Sequence, residues 1–131
     1  MIYLDTSIAL AWLLTEDRQP SVSVWDGTLV SSRLFEYEIW TPLHSRGIAD
    51  SHGEAARQLI GRVALLELTP QVLARALDAF PAPLRAIDAL HLASCAYLAD
   101  QGQNVEFASY GRRMNEAARA MEIPLFNPEA A

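Results

Sequence analysis

Met1-Ile2-Tyr3-Leu4-Asp5-Thr6-Ser7 opens the chain with four apolar or aromatic residues, a carboxylate and two hydroxyls. Residues 1–4 are the kind of run that makes a strand buried on both faces, and the run stops at Asp5. Ile8-Ala9-Leu10-Ala11-Trp12-Leu13-Leu14 then reads as a helix, with Thr6 or Ser7 as its cap. Asp5 therefore stands where a parallel strand gives way to a helix, the usual ligand position in open α/β sheets. Asp, Thr and Ser are also ordinary turn and cap residues, so the triplet alone fits a plain strand-to-helix turn equally well.

The alternation continues outward. Residues 15–20 make a polar loop closed by Pro20, and Ser21 to Asp26 form a short turn that carries Trp25 inward and ends at Gly27. Thr28 to Ser31 is a second strand, after which Ser31 or Ser32 caps a helix reaching about Arg46 and stopped by Gly47. Ser51 and Glu54 have the spacing of a capping box at the head of the next helix, which runs to Val63. Ala64 to Leu68 is strand-like, and Thr69-Pro70 starts a helix with a cap hydroxyl and then proline. Pro81-Ala82-Pro83 breaks it, and another helix runs from about Leu84 to Ala99. Val105 to Ala108 makes a fourth strand, Arg112 to Met121 a last helix, Ile123 to Phe126 a short terminal strand, and Pro128 to Ala131 a frayed tail. Strands alternating with helices, without hairpin dipeptides, predict an α/β fold: three layers, α/β/α, around a mainly parallel sheet of about five strands.

With 131 residues, the chain predicts a single domain over 1–131 with its own core. Its 51% hydrophobic content is broken up by charge, and no run approaches a membrane span, so a soluble protein is expected. No basic segment followed by a long apolar one opens the chain, which makes the cytoplasm the expected location. Cys95 sits among apolar residues and reads as a small buried hydrophobe. The net charge of -6 argues against a protein that coats nucleic acid by bulk electrostatics. It does not argue against one that cuts it, because carboxylates that bind divalent cations attract phosphate once the metal is in place. There is no lysine among the 10 Lys and Arg positions, so any phosphate contact is made by arginine.

Two further acids occupy apolar settings. Glu38 lies in mid-helix on a face with Leu34, Thr41 and Ser45, and Pro42 removes the N–H that its carbonyl would accept. An ordinary surface glutamate accounts for Glu38 as well. Asp88 lies in Ala86-Ile87-Asp88-Ala89-Leu90-His91-Leu92-Ala93, apolar on every face and therefore largely buried. Near a helix start it gains only about 0.3–1 kcal/mol from the dipole, against several kcal/mol of desolvation for an unpaired ion. Its partner is either Arg85 or a cation. His91, one turn on, reads as a satisfied core histidine. Two carboxylates about 4 Å apart repel by about 4 kcal/mol at an effective dielectric of about 20. If Asp5, Glu38 and Asp88 converge at the carboxyl edge of the sheet, they must therefore bind protons more tightly or capture a cation. A hard ion such as Mg2+ or Mn2+ suits these oxygens, polarises a phosphodiester and acidifies water that Thr6 or Ser7 could orient.

At this point the chain resembles the PIN-domain ribonucleases, and among them the VapC-type toxins of bacterial toxin–antitoxin pairs. The likeness rests on Ile2 to Ser7, on Val30-Ser31-Ser32-Arg33-Leu34 followed by Tyr37-Glu38, on Leu84 to Ala93, and on Ala108-Ser109-Tyr110 with Arg112-Arg113. Any one piece is weak; their order and combination are specific. The resemblance implies a five-stranded parallel sheet between helices, an acidic site binding magnesium or manganese, endonucleolytic cleavage of RNA, a homodimer, and neutralisation by a VapB-type antitoxin. It implies that Asp5, Glu38 and Asp88 hold the metal. Arg85, Arg112 and Arg113 are the candidate phosphate contacts, although the last two also fit plain helix-end charges. One departure matters: the family usually carries an aspartate directly after the position of Tyr110, and here Gly111 stands there, with Asn115 or Glu106 as conceivable substitutes.

Two readings follow, a metal-dependent RNA endonuclease and a catalytically weakened PIN-like module that acts by binding antitoxin or RNA. A phosphate-binding or receiver-like α/β domain is a weaker third, since no glycine-rich phosphate loop is present.

Overall fold

The computed structural model describes residues 1–129; Ala130 and Ala131, the end of the expected tail, lie outside the described residues. Four strands, β1 (Ile2–Leu4), β2 (Leu29–Ser32), β3 (Val63–Leu66) and β4 (Glu106–Ala108), form a sheet in the order β3-β2-β1-β4. All three pairings are parallel.

Side chains alternate across each strand, so the sheet divides its apolar residues between two cores. Ile2, Leu4, Leu29 and Ala108 face one way and pack with Ile8, Phe35, Ile39, Leu43 and Leu59. These come from α1 (Thr6–Leu13), α2 (Leu34–Ser45) and α3 (Ala49–Gly61). Tyr3, Val30 and Phe107 face the other way, against Leu92, Cys95, Met114 and Ala117 of α5 (Ala86–Asp100) and α6 (Arg112–Ala120). The short helix α4 (Pro70–Leu77) packs on α5. The expected three layers are present. Cys95 is buried, and that burial pushes its thiol up to about 12.

The terminal strand is reduced to a single bridge between Leu125 and Phe107, which leaves four strands instead of five. Phe107 N–H donates to the Pro124 carbonyl and Phe126 N–H to the Phe107 carbonyl. Pro124 itself has no N–H to give, so the ladder stops there. The tail is docked where fraying was expected: Pro128 is buried, its carbonyl accepts from Ser21 N–H at 2.7 Å, and Glu129 pairs with Arg18.

Helix starts also differ in part. Thr69 caps α4 as expected, its hydroxyl accepting from Val72 N–H. The cap of α1 is Asp5 instead of Thr6 or Ser7, whose hydroxyls go to other partners. No capping box forms at α3; Ser51 donates to the Ile48 carbonyl, and Glu54 accepts from Arg57 and Gln58. Gly47 ends α2 with φ of 68°, a left-handed conformation that glycine adopts without strain.

Candidate active site

The strand order reverses at β1. The chain steps from β1 to β2 to β3 on one side, and β4 returns to the other side, so a crevice opens beyond the carboxyl ends of β1 and β4. Asp5 follows β1 there, its backbone N–H bonded to the carbonyl of Ala108, the last residue of β4.

Asp5 is only 6% exposed, and one of its oxygens is held twice: Oδ2 accepts from Ser7 Oγ at 2.7 Å and from Ser109 Oγ at 2.8 Å. Each hydroxyl is itself anchored, Ser7 Oγ accepting from Tyr110 N–H and Ser109 Oγ from Gly111 N–H. A buried carboxylate accepting two donors meets part of its desolvation cost through charge-assisted bonds. Asp88, in the first turn of α5, shares this cleft with Asp5, Ser7 and Gly111. Arg85, Arg112 and Arg113 line it as well, their side chains exposed. Among the described residues Arg85 makes no ion pair with Asp88, so of the two partners considered for Asp88 the arginine is not the one engaged. Burial, and then the negative charges of Asp5 and Glu38, raise the Asp88 carboxyl above its usual value, with His91 and Arg85 acting the other way.

Glu38 sits apart from that cleft lining. Its Oε1 accepts from Thr6 Oγ1 at 2.9 Å and meets His91 Nε2 at 2.5 Å. His91 is fully buried, and its other nitrogen, Nδ1, lies 2.8 Å from the Tyr3 hydroxyl. Burial opposes protonation of His91, but the Glu38 hydrogen bond and the charges of Asp5, Glu38 and Asp88 outweigh it and raise the imidazole above its ordinary value. Burial keeps the Tyr3 phenol well above its own, so it remains a neutral hydroxyl.

The three acids therefore lie within one another's field without forming a closed cage. Among the described residues, no three His, Cys, Asp or Glu side chains stand close enough together to hold an ion as they are. The donor chemistry nevertheless suits a hard divalent cation: all three acids present oxygen, and neither Asp5 Oδ1 nor Glu38 Oε2 has a hydrogen-bond partner among the described residues.

Neither substitute for the missing fourth acid lines the cleft. Asn115 Nδ2 donates to the Ser109 carbonyl, and Glu106 lies at the amino end of β4, beside Ile2 and away from the crevice. His91 is the satisfied core histidine that was expected, buried with both ring nitrogens bonded, whereas the parts played by Ser109 and Tyr3 escaped the sequence reading. Ser109 follows a buried strand just as Asp5 does, which was a usable signal. Tyr3 carries a hydroxyl inside a fully buried strand, and His91 shares a helix face with Asp88; both needed a partner that the sequence could not name.

The chain matches the family described as PIN domain over residues 2–120. It is similar to Ribonuclease VapC47 of Mycobacterium tuberculosis (strain CDC 1551 / Oshkosh), 28% identical over 137 aligned positions that cover 99% of this chain and 98% of the relative. It is also similar to Ribonuclease VapC46 of Mycobacterium tuberculosis (strain ATCC 25618 / H37Rv), 30% identical with 97% of each chain covered. Ribonuclease VapC35 from both strains is 27% identical, with 100% of this chain and 99% of the relative covered.

Proposed function

We propose that this chain, which belongs to the PIN-domain family, is an endoribonuclease dependent on Mg2+ or Mn2+ and acts as the toxin of a VapBC pair. The observation that carries the reading is the cleft at the strand-order reversal, where Asp5 and Asp88, far apart in the sequence, share a wall with three arginines. Acids beside arginines are what a phosphodiester site needs: one set to hold a cation, the other to bind the phosphate.

In this reading Asp5, Asp88 and Glu38 hold the ion. Once bound, it neutralises the acidic cleft towards phosphate and acidifies water for attack. Ser7 and Ser109 fix the Asp5 carboxylate, and Thr6 fixes Glu38, so both carboxylates are oriented before substrate arrives. Arg85, Arg112 and Arg113 bind the RNA backbone as forked donors. The partners are RNA, a VapB-type antitoxin and a second copy of the chain, and the working compartment is the cytoplasm. No helix among the described residues is long and apolar enough to cross a membrane.

Incubation with RNA tests the reading directly. Cleavage is expected with Mg2+ or Mn2+ and not after chelation, and Asp5→Asn is expected to abolish it while leaving the circular dichroism spectrum unchanged. Intact RNA in the presence of either ion would remove the proposal.

A second reading, a weakened module that works by binding, draws on Gly111, where the family's usual further acid is absent. A side chain there is possible: the backbone has φ of -75°, and an added Cβ would lie 3.2 Å from Ser109 Oγ and 3.5 Å from Met114. Gly111→Asp therefore requires Ser109 to yield by a few tenths of an ångström. It is expected to raise cleavage; if the native chain already cuts fully and the variant gains nothing, the missing acid is irrelevant.

A further inference from the structure

The polar chain Tyr3–His91–Glu38 spans three elements, β1, α5 and α2, and the reading of the cleft leaves Tyr3 and His91 without a task. With Glu38 ionised the donor on its Oε1 is fixed, although His91 Nε2 also stands 3.4 Å from Thr6 Oγ1. An ionised Glu38 can only accept, so the 2.5 Å contact requires a proton on His91 Nε2. The single hydroxyl proton of Thr6 goes to the same Oε1 at 2.9 Å. His91 Nδ1 then accepts from the neutral Tyr3 hydroxyl at 2.8 Å. Should Nδ1 also carry a proton, Tyr3 accepts instead, and the Nε2 donor is unchanged. The phenol is itself fixed, buried at 0% exposure with its ring stacked on Phe107 at 5.9 Å and edge-on to His91 at 5.8 Å.

We propose that His91 is a positioning residue for the metal site: oriented from the core by Tyr3, it clamps Oε1 of Glu38 together with Thr6 and leaves Oε2 as the oxygen available to a cation. The arrangement mirrors the other end of the site, where Ser7 and Ser109 occupy Asp5 Oδ2 and leave Oδ1 without a partner among the described residues. At both acids the protein holds one oxygen and leaves the other open. Groups that orient a ligand in this way act on metal affinity through the ligand, without touching the ion.

This inference rests on the metal-dependent reading above, and the experiment separates the two. Mn2+ is titrated calorimetrically into the native protein, Tyr3→Phe, Glu38→Gln and the double variant, with metal-free thermal melts confirming that each is folded. Tyr3→Phe removes one oxygen at nearly constant volume and is expected to weaken Mn2+ roughly tenfold. The double variant is expected to bind no more weakly than Glu38→Gln alone, because Tyr3 acts only through Glu38. Native affinity in Tyr3→Phe, or a further tenfold loss in the double variant, overturns the positioning role and leaves the metal reading intact. Absence of Mn2+ binding to the native protein overturns both. A second measurement needs no variant and no metal: nitrogen-15 correlation spectra of the native chain are expected to show His91 protonated at Nε2. A neutral ring protonated only at Nδ1 cannot donate to Glu38 and overturns the proposal.

Discussion

Ser109 holds Asp5 across 104 positions of sequence, and its own oxygen takes the Gly111 N–H at the head of α6. Ser109→Ala strips one donor from a buried carboxylate and orphans a backbone N–H. It is expected to cost about 1–3 kcal/mol in urea unfolding and to lower cleavage. Asp88 gives a pH-dependent result. Its folded-state pKa is raised, first by burial and then by Asp5 and Glu38, so ionising it opposes folding. That penalty is present in full above the folded pKa and disappears as pH falls below the unfolded value. Metal-free Asp88→Asn is therefore expected to melt above the native protein at about pH 7, and the gap to close at about pH 3. Thermal melts at the two values check this. At this scale the acids were legible because each stands at an element boundary or in an apolar run. Their holders were not, since a hydroxyl at Tyr3 or Ser109 reveals its partner only when distant segments meet.

Among the elements, those with two agreeing local signals were the ones read correctly. Thr69-Pro70 combines a cap oxygen with a residue pre-set for the first helical turn, and α4 begins there. Thr69→Ala is expected to cost about 0.5–2 kcal/mol by chemical denaturation without disturbing cleavage, since α4 lines no part of the cleft. Single signals misled. Ser51 and Glu54 have the spacing of a cap, but the helix already begins at Ala49, and their side chains serve other partners. The hydroxyls of Thr6 and Ser7 were available to α1, yet two carboxylates took them, and tertiary contact overrode local preference. Residues 123–126 have strand composition, but Pro124, with no N–H to donate, limits them to one bridge.

Across the whole molecule, a net charge of -6 coexists with a cleft whose rim carries Arg85, Arg112 and Arg113. On the nuclease reading, local field and not bulk charge attracts RNA, so affinity should fall with salt by a slope that counts these contacts. Each phosphate contact to single-stranded RNA contributes about 0.7 to the slope of log affinity against log salt. Replacing Arg112 and Arg113 by alanine is expected to lower that slope by about 1.4 if both bind phosphate, measured by fluorescence anisotropy with Asp5→Asn to prevent cutting. An unchanged slope would make them plain helix-end charges. The parallel order β3-β2-β1-β4 has one more consequence. Asp5 follows β1, while Ser109 follows β4, a strand that reaches its place beside β1 only after the chain has crossed back over the sheet. A molecule in which β4 has not yet paired with β1 has the acid but neither the neighbouring strand nor the hydroxyl that steadies it, so the cleft is assembled only when that long-range pairing closes.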